Sequence, residues 1–115
     1  MGNIMHIEVT STDPAAAAEF YARAFGWVSE PSPHLPGYLT ARTGSGTGID
    51  AAIMDRRYQG QSTILWIAVD DIEVTLAAVE GAGGERGELH DLPGVGRVGY
   101  VTAPDGVVIG VKQAA

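Results

Sequence analysis

The chain has 115 residues, a mass of 12.0 kDa, 45% hydrophobic and 18% charged side chains, which fits one compact domain or two very small modules fused together and excludes both a separate regulatory domain and the composition of a disordered segment. Seven Lys+Arg against fourteen Asp+Glu leave a net charge of -7 with the basic residues scattered apart from Arg56-Arg57, so neither nucleic acid nor a membrane surface is an expected partner. With no cysteine, disulfides, thiolate metal sites and cysteine nucleophiles are excluded; no apolar run approaches a membrane span and Met1-Gly2-Asn3 opens no targeting segment, so a soluble cytoplasmic protein is expected.

Ile4 to Thr10 alternates apolar Met5, Ile7 and Val9 with polar His6, Glu8 and Thr10, the period of a half-buried strand with one polar face. Asp13-Pro14 then supplies an N-cap acceptor and a proline at the first helical position, and an alanine-rich helix runs through Phe25 to stop at Gly26. On it Glu19 and Arg23 form an outward i,i+4 pair, while Phe20 and Phe25 are expected in the core. Pro31, Pro33, Pro36 and Gly37 predict a loop after Trp27, followed by a strand at Tyr38 to Arg42, a hairpin turn over 43–48 and a strand near Ile49 to Met54. A polar connector leads to a strand at Thr63 to Val69, and Asp70-Asp71 can cap a second helix, Ile72 to Glu80, ended by Gly81, Gly83 and Gly84. Strands follow at Glu85 to His90, Arg97 to Thr102 and Val107 to Lys112, the last two joined by Pro104-Asp105-Gly106.

The halves repeat. Tyr38-Leu39-Thr40-Ala41 recurs as Tyr100-Val101-Thr102-Ala103, each followed by a glycine turn at Gly46 or Gly106 and an apolar strand containing Ile49 or Ile109. The expected class is therefore α+β: one domain over residues 1–115 built from two paired β-α-β-β-β modules, about 4–58 and about 62–113. One such module leaves a sheet face uncovered, and pairing two of them would enclose a cleft. "GVGRVG" lacks the strand-loop-helix context and Lys-Ser/Thr of a phosphate loop, and the serines lie in caps or loops without an elbow motif.

"HIEVTSTDPAAAAEFYARAFGW", "IAVDDIEVTLAAVEGAGG" and "PGVGRVGYVTAPDGVVIGV", in that order and spanning almost the whole chain, resemble the vicinal oxygen chelate superfamily of glyoxalases, bleomycin resistance proteins and dioxygenases. The resemblance implies a homodimer with a small-molecule cleft. In metal-using members, four ligands come from the first and last strands of the two modules. Carried over by spacing, these positions fall on His6, on Asp50 (or Ala52, if the register slips by two), on Ile64 and on Gly110. Neither Ile64 nor Gly110 has a donor side chain, and catalytic sites normally use about three protein ligands, so no metal or other cofactor is expected.

Glu8, His6 and Asp50 are the candidate acid–base residues, because a carboxylate on a concave sheet face is costly to bury without a partner or ligand. Ile64, Trp66, Trp27 and Tyr100 are the candidate ligand-binding residues; Trp66 shares its face with Ile64, and Trp27 and Tyr100 each have a packing alternative, Tyr100 because Tyr38 repeats it. Three functions are carried forward. The first is metal-independent binding of a small metabolite or drug. The second is a lyase, isomerase or epimerase in which Glu8, His6 or Asp50 moves a proton, and the third is a metal-dependent glyoxalase- or dioxygenase-type enzyme.

Overall fold

The computed structural model describes residues 2–44 and 48–115. The element order is β1 (Asn3–Ser11), α1 (Pro14–Phe25), β2 (Val28–Pro31), β3 (Tyr38–Arg42), β4 (Ala51–Asp55), β5 (Thr63–Ala68), α2 (Ile72–Gly81), β6 (Glu85–Leu92), β7 (Gly96–Thr102) and β8 (Val108–Ala114). The chain divides into two compact units, His6–Ile64 and Met1–Met5 with Leu65–Ala115. In the first, the strand order is β2-β3-β4-β1, with β4 parallel to β1 and antiparallel to β3. In the second it is β5-β8-β7-β6, with β8 parallel to β5 and antiparallel to β7. Each unit follows the same path, and the repeat read from the sequence is a repeat of topology.

Both helices start where their caps dictate. Asp13 Oδ1 accepts from Ala16 N at 3.1 Å, and Gly26, at φ 76°, closes α1 with its N–H on Ala22 O. Asp71 Oδ1 accepts from Glu73 N and Val74 N at 3.1 and 3.2 Å, and Gln113 Oε1 takes the Ile72 N–H at 2.8 Å, tying α2 to β8. The α1 side of the first unit packs Ala41, Ala51 and Ile53 with Val9, Leu39, Ala17, Ala18, Tyr21 and Trp27. The α2 side of the second packs Ile72, Leu76, Val101 and Val111 with Ile67, Val69, Val79, Leu89 and Ile109.

Three local expectations are corrected. The segment after Trp27 is not all loop: Val28–Pro31 forms β2 against β3, and because β2 stands at the end of its sheet order Pro31 is tolerated there. Phe20 and Phe25 are 59% and 63% exposed, because the inward stripe of α1 consists of Ala17, Ala18 and Tyr21. Asp50 precedes β4 and does not lie within it. The expected Glu19–Arg23 pair is present at 3.7 Å on the outer surface, where it contributes little. The hairpin turn expected over 43–48, with its Gly46, includes residues 45–47 and so lies partly outside the described residues.

Candidate functional site

Strand pleating sorts the His6–Ile64 unit into two faces. Val9, Leu39, Ala41, Ala51 and Ile53 face α1, so the opposite face carries His6, Glu8 and Thr10 of β1, Ala52 and Met54 of β4, and Tyr38 and Thr40 of β3. Register fixes the rows: Glu8 is level with Ala52 and Thr40, and Thr10 is level with Met54 and Tyr38. Tyr38 reaches diagonally across β4, over the small Ala52, and its Oη donates to Glu8 Oε2 at 2.8 Å. The same oxygen lies 3.5 Å from His6 Nε2.

Glu8 is 2% exposed, whereas His6 and Tyr38 are half-buried. A buried carboxyl without partners would be strongly unfavourable, and the phenol provides one hydrogen bond of the stronger, charge-assisted kind. The buried Thr10 on the same face is also satisfied: its hydroxyl donates to Gln61 O at 2.8 Å and accepts from Arg56 Nε at 3.1 Å. The face is therefore polar and hydrogen-bonded, and it can offer a ligand a carboxylate, a phenol and an imidazole.

Of the candidate acid–base residues, His6 and Glu8 are brought together and Asp50 stands apart. Asp50 is exposed, and its carboxylate accepts from Thr43 N at 3.2 Å. Ala52, the register alternative, is the residue opposite Glu8. A metal at this face would find His6 and Glu8 but no donor at Ala52, and no group of three or more His, Cys, Asp or Glu side chains able to hold an ion occurs among the described residues. The donor set does not fit a resident metal.

The equivalent face of the Leu65–Ala115 unit is aromatic. Trp66 pairs in register with Gly110, which pairs with Tyr100, and the two rings lie 5.3 Å apart at 53°. A Cβ at Gly110 would overlap Cδ2, Cε2 and Cε3 of the Trp66 indole, so the glycine is the seat of that ring. Trp66 is 8% exposed, and its buried Nε1–H has no hydrogen-bond partner among the described residues. Ile64, the other apolar candidate, is fully buried.

Trp27 is corrected as a ligand-binding candidate. It stacks on Tyr21 at 4.5 Å and 17° within the α1-side cluster, on the opposite side of the sheet from Glu8. Tyr38 is the residue that sequence reasoning missed, because the match with Tyr100 was explained by a shared structural role. The available signal was its parity: Tyr38 alternates with Leu39 and Ala41, which are core-facing. The raised basicity of Arg97, caused first by its 2.8 Å hydrogen bond to Asp91, belongs to the α2 side, where Arg97 also meets Glu73.

With this geometry established, comparison places the chain among known proteins. A family model described as "Glyoxalase-like domain" matches residues 6–111. CFP32 of Mycobacterium tuberculosis and Mycobacterium bovis, provisionally named a glyoxylase, is 28% identical over 116 residues, covering 94% of this chain and 44% of that protein. The chain thus spans less than half the length of these curated relatives. Methylmalonyl-CoA epimerase from Mycobacterium tuberculosis superposes with a TM-score of 0.69 at 17% identity, over 97% of this chain and 87% of that one. A glyoxalase/bleomycin resistance protein/dioxygenase superfamily member from Vibrio splendidus gives 0.71 at 15%, over 98% and 99%. At these identities the likeness is one of fold. No helix among the described residues is long and apolar enough to cross a membrane.

Proposed function

The chain belongs to the glyoxalase-like domain family, and we propose that it binds a small organic molecule on the His6–Glu8–Tyr38 face without using a metal. The observation that carries this reading is the gathering of three polar side chains, one a buried carboxyl, on the sheet face turned away from α1, where core packing alone would place apolar residues.

A panel of small hydroxy, oxo and aromatic acids, tested by thermal shift in the presence of a chelator, is the direct test. A ligand at a hundred times its Kd should add about 2.7 kcal/mol of stability, a rise of several degrees in Tm. Tyr38→Phe, which removes the phenol from the Glu8 face, should then weaken binding by about 0.5–1.5 kcal/mol, the net worth of one hydrogen bond. Near one equivalent of nickel, zinc, iron or manganese in protein from supplemented medium, lost in His6→Ala, would overturn the metal-independent reading.

The second reading is a lyase, isomerase or epimerase that moves a proton, and the Tyr38–Glu8 hydrogen bond beside His6 favours it. Glu8→Gln separates the two. A binder keeps most of its affinity, whereas an enzyme using Glu8 loses on the order of 10²–10⁴ in rate while still binding. In both readings we take the working form to be a homodimer, supported by the sheet face of the His6–Ile64 unit that is turned away from α1 and would be covered by two-fold pairing of like surfaces. Light scattering at micromolar concentration should give about twice the 12.0 kDa chain mass, and a clean monomer would refute it.

A further inference from the structure

The three polar groups of the His6–Ile64 unit form a line with a direction. Tyr38 Oη carries one hydrogen, and the 2.8 Å contact to Glu8 Oε2 uses it. Toward His6 Nε2, 3.5 Å away, the same oxygen presents a lone pair, so the imidazole meets it as an Nε2–H donor. At 3.5 Å this contact is long for a hydrogen bond, as catalytic hydrogen bonds often are before a ligand binds.

We propose that Tyr38 relays a proton between His6 and Glu8, so that the three residues act as one acid–base unit. The inference deepens the proton-transfer reading above by assigning a role to a residue that reading did not need. Starting from a His6 imidazolium, the Nε2–H bond breaks as a new O–H bond forms at Tyr38. The original Tyr38 O–H bond breaks in concert, and its proton forms an O–H bond on Glu8 Oε2. Imidazolium, phenol and carboxylate become imidazole protonated at Nδ1, phenol and carboxylic acid; protons and charge balance, and no co-reactant is consumed.

Burial explains why a relay is useful here. Glu8 is 2% exposed, whereas His6 is half-buried, so the phenol links a carboxyl shielded from water to an imidazole that is not. Ala52 makes the link possible, because it lies in the ladder between Glu8 and Thr40 and its methyl group leaves the Tyr38 ring room to cross β4. The other charged groups on this face of the unit are Glu30, Arg42 and Asp50, all exposed, and Arg56, whose guanidinium is bonded to Thr10. None of these stands between the three members of the line. The packing of α1 is confined to the opposite face.

The test needs no ligand. In the isotopically labelled full chain, with Glu8 ionised, the nitrogen signals of the His6 ring should show the neutral imidazole as the Nε2–H tautomer in about tenfold excess, the scale of one net hydrogen bond. The Glu8 carboxyl-carbon signal should carry an inflection at the His6 titration, as coupled groups do. In Tyr38→Phe, with an amide spectrum still that of the folded chain, the tautomer excess and the shared inflection should both be lost. An Nδ1–H tautomer while Glu8 is ionised, or a tautomer ratio and inflection unchanged in Tyr38→Phe, would overturn the proposal. If Tyr38→Phe does not fold, 3-fluorotyrosine at Tyr38, a stronger acid of nearly the same shape, must move the Glu8 carboxyl signal, and no movement overturns it. A failed ligand panel leaves this result standing, and a failed relay leaves the binding reading standing.

Discussion

Gly110→Ala is expected to destabilise the chain by about 1–3 kcal/mol, the usual cost of forcing extra volume into a packed interior. The reason is local and rigid. The new Cβ would overlap three atoms of the Trp66 indole, a flat ring that cannot bend out of the way as the end of a flexible side chain could. Trp66 is itself buried, and Tyr100 lies beside it at 5.3 Å, so neither ring has free space to retreat into. Thermal unfolding should show a Tm lowered by roughly 4 °C for each kcal/mol. The pairing makes a sharper claim than the single variant. Trp66→Leu with Gly110→Ala should be more stable than the sum of the separate losses by roughly 0.5–3 kcal/mol, because the smaller side chain removes the clash. Strict additivity, or a Gly110→Ala chain as stable as the parent, would show that the ring is not seated on the glycine.

This pair also shows where reading the sequence stopped. Counting positions identified Gly110 as a place where a metal ligand is absent, but nothing in the count could reveal that the absence is filled by an indole from the neighbouring strand. That fact depends on which residue of β5 lies opposite Gly110, and the hydrophobic pattern of a strand fixes its faces without fixing its partners. The same limit applies at Glu8. Alternation in Ile4 to Thr10 was enough to put His6 and Glu8 on one face, and they do share it. The choice between Asp50 and Ala52 as their neighbour required the β1–β4 register, and the chain before β4 contains three residues outside the described structure.

The main architecture was legible for physical reasons that act within a few residues. Asp13-Pro14 and Asp71 cap helices by local hydrogen bonds, Gly26 adopts a left-handed backbone, and β5, β7 and β8 are rich in β-branched residues. The segment Val28–Pro31 was harder because its prolines signal a turn, and only pairing with β3 makes it a strand. Phe20 and Phe25 were misjudged for a related reason: an alanine-rich helix offers several candidate inward stripes, and the choice is made by the sheet it meets. Tyr38 was hidden by the repeat itself. Its match with Tyr100 suggested one role for both, yet Tyr38 bonds Glu8 while Tyr100 lies against Trp66, so equivalent positions have different chemistry because their neighbours on the first strands differ.

The largest single loss of stability is expected from Ile53→Ala, at about 2–5 kcal/mol, against about 0.5–1.5 kcal/mol for Ile53→Val. Ile53 is fully buried, level with Val9 on one side and Leu39 on the other, and α1 covers it through Ala17, Ala18 and Tyr21. Two of those three covering side chains are alanines, which cannot extend to fill a vacated space, so the hole closes only if α1 or β4 moves. The consequence reaches the candidate site, because the residues on either side of Ile53 in β4 are Ala52 and Met54, on the face that Tyr38 crosses to reach Glu8. A displacement of β4 by even a fraction of an ångström changes a hydrogen bond that spans it. Chemical unfolding should therefore rank Ile53→Ala well below Ile53→Val, and the His6 tautomer preference should survive in the valine variant and weaken in the alanine one. An alanine variant that loses less than about 1 kcal/mol would mean that α1 settles onto the smaller side chain at little cost. Full retention of the tautomer preference alongside the expected loss of stability would show that the Glu8 face is insulated from the packing beneath β4.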